Sequence, residues 1–216
     1  MAGRITALVI QKKNKERVSV YIDEEFAFGL ALIEAAKLKK GQTLTGADIL
    51  RLKALDEVEV AYDKALHFLS FRPRSEDEVR RNLKKKEISA GAIDRVIERL
   101  ERAGFLNDAE FARLWTESRD AARPRSARAL RYELRQKGVS DGSIEEAISD
   151  LDEDDAAYRA GQSKLRSYAG SDEADFKRRM GSFLARRGFG YDVVRDVVIR
   201  LWEESGEEAA SDEAEE

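Results

Sequence analysis

FRPRSEDEVRRNLKKK, residues 71–86, reads as a tight turn followed by a short helix with one narrow apolar face. Ser75 suits the N-cap, and Glu78 three residues on completes a capping-box pattern. Glu76, Asp77 and Glu78 place anions in the first turn, where the helix dipole favours them. Arg80, Arg81, Lys84, Lys85 and Lys86 follow toward the C-terminal end. Val79 and Leu83, four apart, are the only apolar residues of the helix and share one face. The stretch therefore predicts a helix with a core-facing stripe and a broad cationic surface, entered through Arg72, Pro73 and Arg74.

The pattern repeats. Arg-Pro-Arg-Ser returns at 123–126, so Pro73 and Pro124 are 51 residues apart. The offset holds through Leu83/Leu134, Lys86/Lys137, Ile88/Val139 and Ile93/Ile144. A third copy is FKRRMGSFLARRGF, residues 176–189, in which Leu184, Arg187, Gly188 and Phe189 stand for Leu134, Lys137, Gly138 and Val139. Internal repetition at a fixed period marks a repeat architecture.

Helical periodicity fills in each unit. Residues 61–107 give Tyr62, Ala65, Leu66 and Leu69, then the basic helix, then Ile93, Val96, Ile97 and Leu100 behind an N-cap at Ser89. Residues 108–154 open on Asp108 as N-cap, with Phe111, Leu114 and Trp115 inward. They continue through Leu130 and Leu134 to Ile144, Ala147, Ile148 and Leu151. Residues 155–204 carry Tyr158 and Leu165, then Phe176, Met180, Phe183 and Leu184, then Val193 to Trp202. A three-helix unit of about 50 residues barely buries its own core, so the units must stack; the expected fold is mainly α, tandem three-helix repeats in an elongated array.

Residues 1–60 differ. Segments 4–11 and 17–23 are β-branched and alternate in the second, around a polar KKNKE turn in which Asn14 tolerates positive φ. Phe26, Phe28 and Leu30 suggest a third short strand, 31–39 a helix closing at Gly41, and Thr45 with Asp48 a cap opening a helix along Ile49, Leu52 and Leu55. Lys12, Lys13 and Lys15 read as a solvated loop. This is a small β-hairpin/α unit without a chemical motif.

Composition narrows the function. The 216 residues are 42% hydrophobic and 38% charged, with two prolines and no cysteine, which excludes disulfides and Cys-bound metals. No apolar run approaches a membrane span and the N-terminus lacks a signal-peptide pattern, so a cytoplasmic chain without membrane partner is expected. The net charge of -4 hides a split: residues 203–216 hold eight acids and no base, leaving +4 elsewhere. Residues 205–216 are expected to be a disordered acidic tail, either a solubility tag or a polyanion that folds back on the basic surface.

The bases cluster once per unit: seven against three acids in 72–86, eight against three in 113–137, and seven against three in 164–187. Stacked units align such elements into a stripe suited to a regular polyanion. Its candidate residues are Arg72, Arg74, Arg80, Arg81 and Lys84; Arg123, Arg125, Arg128, Arg131, Arg135 and Lys137; and Arg178, Arg179, Arg186 and Arg187. Arg128, Arg131 and Arg135 share the face opposite Leu130 and Leu134. Asn82 and Gln136 are the only base-reading side chains on these helices, which favours phosphate contact without sequence choice.

Catalysis has no foothold. His67 is the only histidine, too few for a zinc site. Glu145/Glu146 and Asp154/Asp155 are neighbours that diverge on a helix. No Gly-rich phosphate loop or activated nucleophile is present, so no enzyme, metal, cofactor or small-molecule substrate is expected.

ALHFLSFRPRSEDEVRRNLKKK, VIERLERAGFLNDAEFARLWTESR and ARPRSARALRYELRQKGV together resemble the RecX family of recombination regulators over residues 61–204. The resemblance implies tandem three-helix repeats that lodge in the groove of a RecA filament on single-stranded DNA and suppress its recombinase, ATPase and coprotease activities. DNA repair, recombination and the SOS response are the processes implied. The third unit has RSYAGSDEADFKRRM where the others have Arg-Pro-Arg-Ser, and the first 60 residues and the tail show no family motif. The competing expectation is a sequence-nonspecific DNA-binding helical array.

Overall fold

The computed structural model describes residues 2–168 and 170–212, and for 206–212 the backbone only. The chain divides into two compact units, residues 1–74 with 78–106, and residues 75–77 with 107–216.

In the first unit β1 (Gly3–Ile10), β2 (Arg17–Ile22) and β3 (Glu25–Ala31) form an antiparallel meander. The register pairs Leu8 with Val20, and Val18 and Val20 with Leu30 and Phe28, so alternation puts one apolar face inward. Positive φ occurs at Asp23 (50°) and Glu24 (73°), the two residues between β2 and β3, where a two-residue hairpin needs it. Asn14 takes another role: its Oδ1 accepts from the Glu16 amide at 3.0 Å, pinning the KKNKE turn.

The helix expected over 31–39 shrinks to one turn, α1 (Leu32–Ala35). The chain must turn back at Gly41 (φ 89°) so that β4 (Thr43–Leu44) can pair with Gly3 and Arg4 at the sheet edge, giving the order β3-β2-β1-β4. Thr45 then caps α2 (Gly46–Leu69) with a full capping box to Asp48. With no Gly or Pro from 47 to 69, nothing stops this helix for 24 residues. The expected boundary at 60/61 thus lies inside α2. Its first half puts Leu52 into a core with Ile5, Val18, Val20, Phe28, Leu30 and Leu44. Its second half puts Ala61 and Ala65 against α3 (Glu76–Lys84) and α4 (Ala90–Arg102), through Val79, Leu83, Val96 and Leu100.

The second unit holds the other two repeats. α5 (Asp108–Ala122), α6 (Ala127–Gln136) and α7 (Asp141–Ile148) enclose Phe111, Leu130, Leu134, Val139 and Ile144. The cap of α5 is Asn107, accepting from the Glu110 amide, rather than Asp108. Asp108 instead accepts from the Glu76 amide at 2.8 Å. Leu114 points outward at 37% exposure, because it lies off the Phe111/Ala112 face. α8 (Glu153–Gln162), α10 (Glu173–Arg186) and α11 (Tyr191–Asp212) enclose Ala156, Ala160, Phe176, Met180, Leu184, Val198 and Leu201. A one-turn helix, α9 (Leu165–Tyr168), precedes Asp172, which caps α10 where the second repeat uses Ser126. α11 continues into the segment expected as a disordered tail, and residues 213–216 lie outside the described residues.

All three basic helices end alike. Ile88, Val139 and Phe189 donate their amides to the carbonyls of Leu83, Leu134 and Leu184, the long bond of a Schellman motif. The residue in between is left-handed each time: Glu87 (φ 60°), Gly138 (79°) and Gly188 (98°). In the second unit this turn is also a joint. Ser126 donates its amide to the Arg187 carbonyl at 3.3 Å, and a Cβ on Gly188 would lie 2.5 Å from Ser126 Oγ. Residues 75–77 of the same unit repeat the contact: Ser75 Oγ donates to the Lys137 carbonyl at 2.6 Å, and a Cβ on Gly138 would lie 2.4 Å from Asp77 Cβ. Glycine there serves the backbone angle and the close approach together.

Candidate nucleic-acid and protein interface

A cation is available to a partner only to the extent that its own carboxylates leave it free. The third helices of the repeats claim several of the expected residues. Arg80 donates to Asp94 at 2.6 Å, and Arg131 holds Glu145 through both Nε and Nη2 at 2.6 and 2.7 Å. Both pairs span fourteen residues, and both positions are offset by 51. Arg135 adds a bond to Asp141 at 2.8 Å. Hydrogen bonding from Arg131 holds the Glu145 carboxyl below its usual range. The face of Arg128, Arg131 and Arg135 is thus two-thirds neutralised inside its own repeat.

Others are held locally. Arg72 grips Glu78 with both terminal nitrogens at 3.1 and 2.8 Å and donates to the Pro73 carbonyl. Arg178 and Arg179 both reach Asp175, and the Arg179 guanidinium lies 4.4 Å over the Tyr168 ring. Lys137 Nζ stands 4.2 Å over the Trp115 ring. Arg81 is exposed on α3. Among the described residues, Lys84, Arg123, Arg128 and Arg186 are exposed and have no carboxylate within ion-pair distance.

The second unit brings three guanidiniums together at the turn before α6. Pro124 is buried and sets the turn, leaving Arg123 exposed and Arg125 half-buried beside it. Arg187 arrives from the end of α10, stacks on Phe183 at 5.0 Å and donates to the Pro124 carbonyl at 3.1 Å. Burial, and then the nearness of Arg125 and Arg123, depresses the Arg187 pKa. A guanidinium so depressed still stays charged at neutral pH. Glu133, only 15% exposed, organises the outer side: it accepts from Trp115 Nε1 at 2.8 Å, Arg119 Nε at 2.9 Å and Arg125 Nη1 at 2.9 Å. Glu153 accepts the Ala127 amide at 2.6 Å, so the start of α6 has its own anion. Such forks suit phosphate and carboxylate alike.

The first unit carries a smaller version. The Arg74 guanidinium lies 4.1 Å over Phe68, and burial followed by repulsion from Arg72 lowers its pKa. Its Nε is buried without a hydrogen-bond partner among the described residues. Arg119 and Glu133 entered the sequence reading only within the charge count of 113–137, because residues were sorted by repeat position and not by cross-helix pairing. The fourteen-residue spacing shared by Arg80/Asp94 and Arg131/Glu145 is the unused signal in the sequence for the third-helix acids.

Among the described residues no helix is long and apolar enough to cross a membrane. Family models match four consecutive segments: the RecX regulatory protein N-terminal domain at 3–45, and the first, second and third RecX three-helix domains at 61–100, 107–148 and 152–198. The first of these corrects the reading that residues 1–60 bear no family motif: the pattern of a small sheet lies in strand pairing, which single residues do not announce. The regulatory protein RecX of Bacillus subtilis (strain 168) is 34% identical over 209 residues, spanning 94% of this chain and 79% of that protein. The regulatory protein RecX of Listeria innocua is 32% identical over 207 residues, spanning 93% and 77%. A crystal structure of regulatory protein RecX superposes with a TM-score of 0.71 at 22% identity, covering 90% of this chain and 98% of that one. That of RecX from Lactobacillus salivarius gives 0.59 at 20% identity, covering 68% and 97%. Four domain models in order, and one-third identity over nearly the whole chain, place this chain in the RecX family of regulatory proteins.

Proposed function

We propose that this chain is a non-enzymatic negative regulator of RecA that binds the RecA filament on single-stranded DNA and lowers its recombinase, ATPase and coprotease activity in the cytoplasm. The observation that carries this reading is the convergence of Arg123, Arg125 and Arg187 from two successive repeats, with Arg128 exposed on the next turn of α6. Glu133 meets Arg125, and the like charges of Arg123 and Arg187 held beside it favour an incoming anion. A filament offers both kinds, nucleic-acid phosphates and acidic side chains. The fifteen basic residues named from the sequence form the proposed contact set. The residues already paired inside their repeats contribute less than Arg123, Arg128, Arg186 and Lys84.

The test is RecA ATPase activity on single-stranded DNA with this protein present well below one copy per RecA. Strong inhibition there is expected of a filament regulator. Inhibition only at amounts that coat the DNA overturns the reading in favour of a sequence-nonspecific DNA-binding array. The Arg123→Glu/Arg128→Glu variant, checked for unchanged helical circular dichroism, is expected to lose most of the effect.

A further inference from the structure

Superposing the repeats by sequence exposes one substitution of chemistry. Arg131 and Glu145, the bonded pair of the second repeat, become Gly181 and Arg195 in the third, where Leu134 corresponds to Leu184 and Gly138 to Gly188. Arg135 and Asp141, the second pair, become Ala185 and Tyr191. Where the second repeat ties its basic helix to its third helix with two ion pairs, the third repeat has an open groove of about 330 Å³ between α10 and α11. Val194 and Val198 line it beside Gly181, and Tyr191 (78% exposed) and Ile199 (41%) stand at its edge. Lys177 and Arg195 complete the lining, which contains no carboxylate.

Packing does not explain Gly181. A Cβ there would meet only Val194 Cγ1 at 3.8 Å, an ordinary contact. In a helix interior glycine is less favourable than alanine. What the missing side chain leaves is the opening itself. The volume is near the bottom of the roughly 300–1,000 Å³ range of ligand clefts, enough for a side chain and not for a large cofactor.

We propose that this groove docks a protein segment that presents a leucine-sized apolar side chain beside a carboxylate. The apolar lining takes the first, and the two cations take the second, supplying from outside the acid that the third repeat has lost at the Glu145 position. Arg195 is held by Asp196 at 2.7 Å and Asp192 at 3.7 Å, and Lys177 by Glu173 at 2.5 Å. These pairs lie between exposed side chains, where water and salt screen them, and the remaining guanidinium and ammonium N–H groups are free to take a further carboxylate.

The test is methyl NMR of the full chain titrated separately with acetyl-Glu-Leu-Glu-amide, acetyl-Lys-Leu-Lys-amide and a ten-nucleotide oligothymidylate. The acidic peptide is expected to shift the Val194, Val198 and Ile199 methyls saturably, with the basic peptide at least about tenfold weaker. Gly181→Arg/Arg195→Glu rebuilds in the third repeat the pair that the second carries, and is expected to abolish the response. Gly181→Ala, which fills the opening by one methyl and favours the helix, is expected to weaken it while the melting temperature holds or rises. No saturable shift from the acidic peptide, equal shifts from the basic one, or shifts of these methyls by oligothymidylate alone would each overturn the proposal.

Discussion

The second and third repeats share a core and differ in what they do with its outer edge. Leu130, Leu134, Val139 and Ile148 of the second are buried as Met180, Leu184, Phe189 and Val198 are in the third. On the outside the second repeat spends Arg131 and Arg135 on Glu145 and Asp141, whereas the third has exchanged those positions for Gly181, Arg195, Ala185 and Tyr191. Burial constrains the inner positions because every methylene there touches neighbours. Exposed ion pairs contribute little to stability, so their positions are free to change chemistry without unfolding the repeat. Function can therefore diverge between copies of one module while the fold stays the same.

That comparison breaks first at the core. Leu134→Ala and Leu184→Ala remove fully buried side chains at equivalent positions, and each is expected to cost about 3 kcal/mol in urea or thermal unfolding. A loss below about 1 kcal/mol in either repeat would show that the two cores are not equivalent. Gly188→Ala comes next. The strained φ of 98° and the clash with Ser126 and Ala129 are expected to cost about 2 kcal/mol together. Gly104→Ala shares a positive φ of 74° but meets nothing within 4 Å, so about 1 kcal/mol is expected there. The difference between the two measures the joint between repeats.

Charge sharpens the comparison further. Arg128 has no carboxylate in range among the described residues and Arg131 has Glu145. Arg128→Glu is expected to weaken binding to RecA-coated single-stranded DNA about tenfold, near 1.4 kcal/mol, and Arg131→Gln much less, as read by fluorescence anisotropy. Equal effects would mean that the Arg131–Glu145 pair opens on binding. The smallest change concerns the first repeat, where Glu87 holds at φ 60° the place that Gly138 and Gly188 take elsewhere. Glu87→Gly is expected to stabilise by up to about 1 kcal/mol, a rise of a few degrees in Tm.

Particular residues show what was readable in advance. The Ser126 cap, the Ser89 cap and the Thr45/Asp48 box are all realised, because a cap depends on residues three apart. Asp108 gave way to Asn107 as cap, a shift of one residue that local chemistry does not decide. α2 runs on across 60/61, since a change of packing partner along a helix leaves no mark in its own periodicity. Of the candidate contact residues, the repeat pattern found Arg123, Arg125 and Arg187 individually. Their meeting depends on where α10 ends against α6, a separation of over sixty residues between Pro124 and Arg187.

By itself the sequence determined the module: its helical period, its caps, its basic second helix and its recurrence, all set by interactions within a few residues along the chain. The tertiary structure alone decided which charges are left over. An arginine is neutralised or free according to whether an acid on another helix lies within a few ångströms, and that distance is set by packing between helices. The open groove of the third repeat belongs to the same class, visible once the two helices that leave it open are placed side by side.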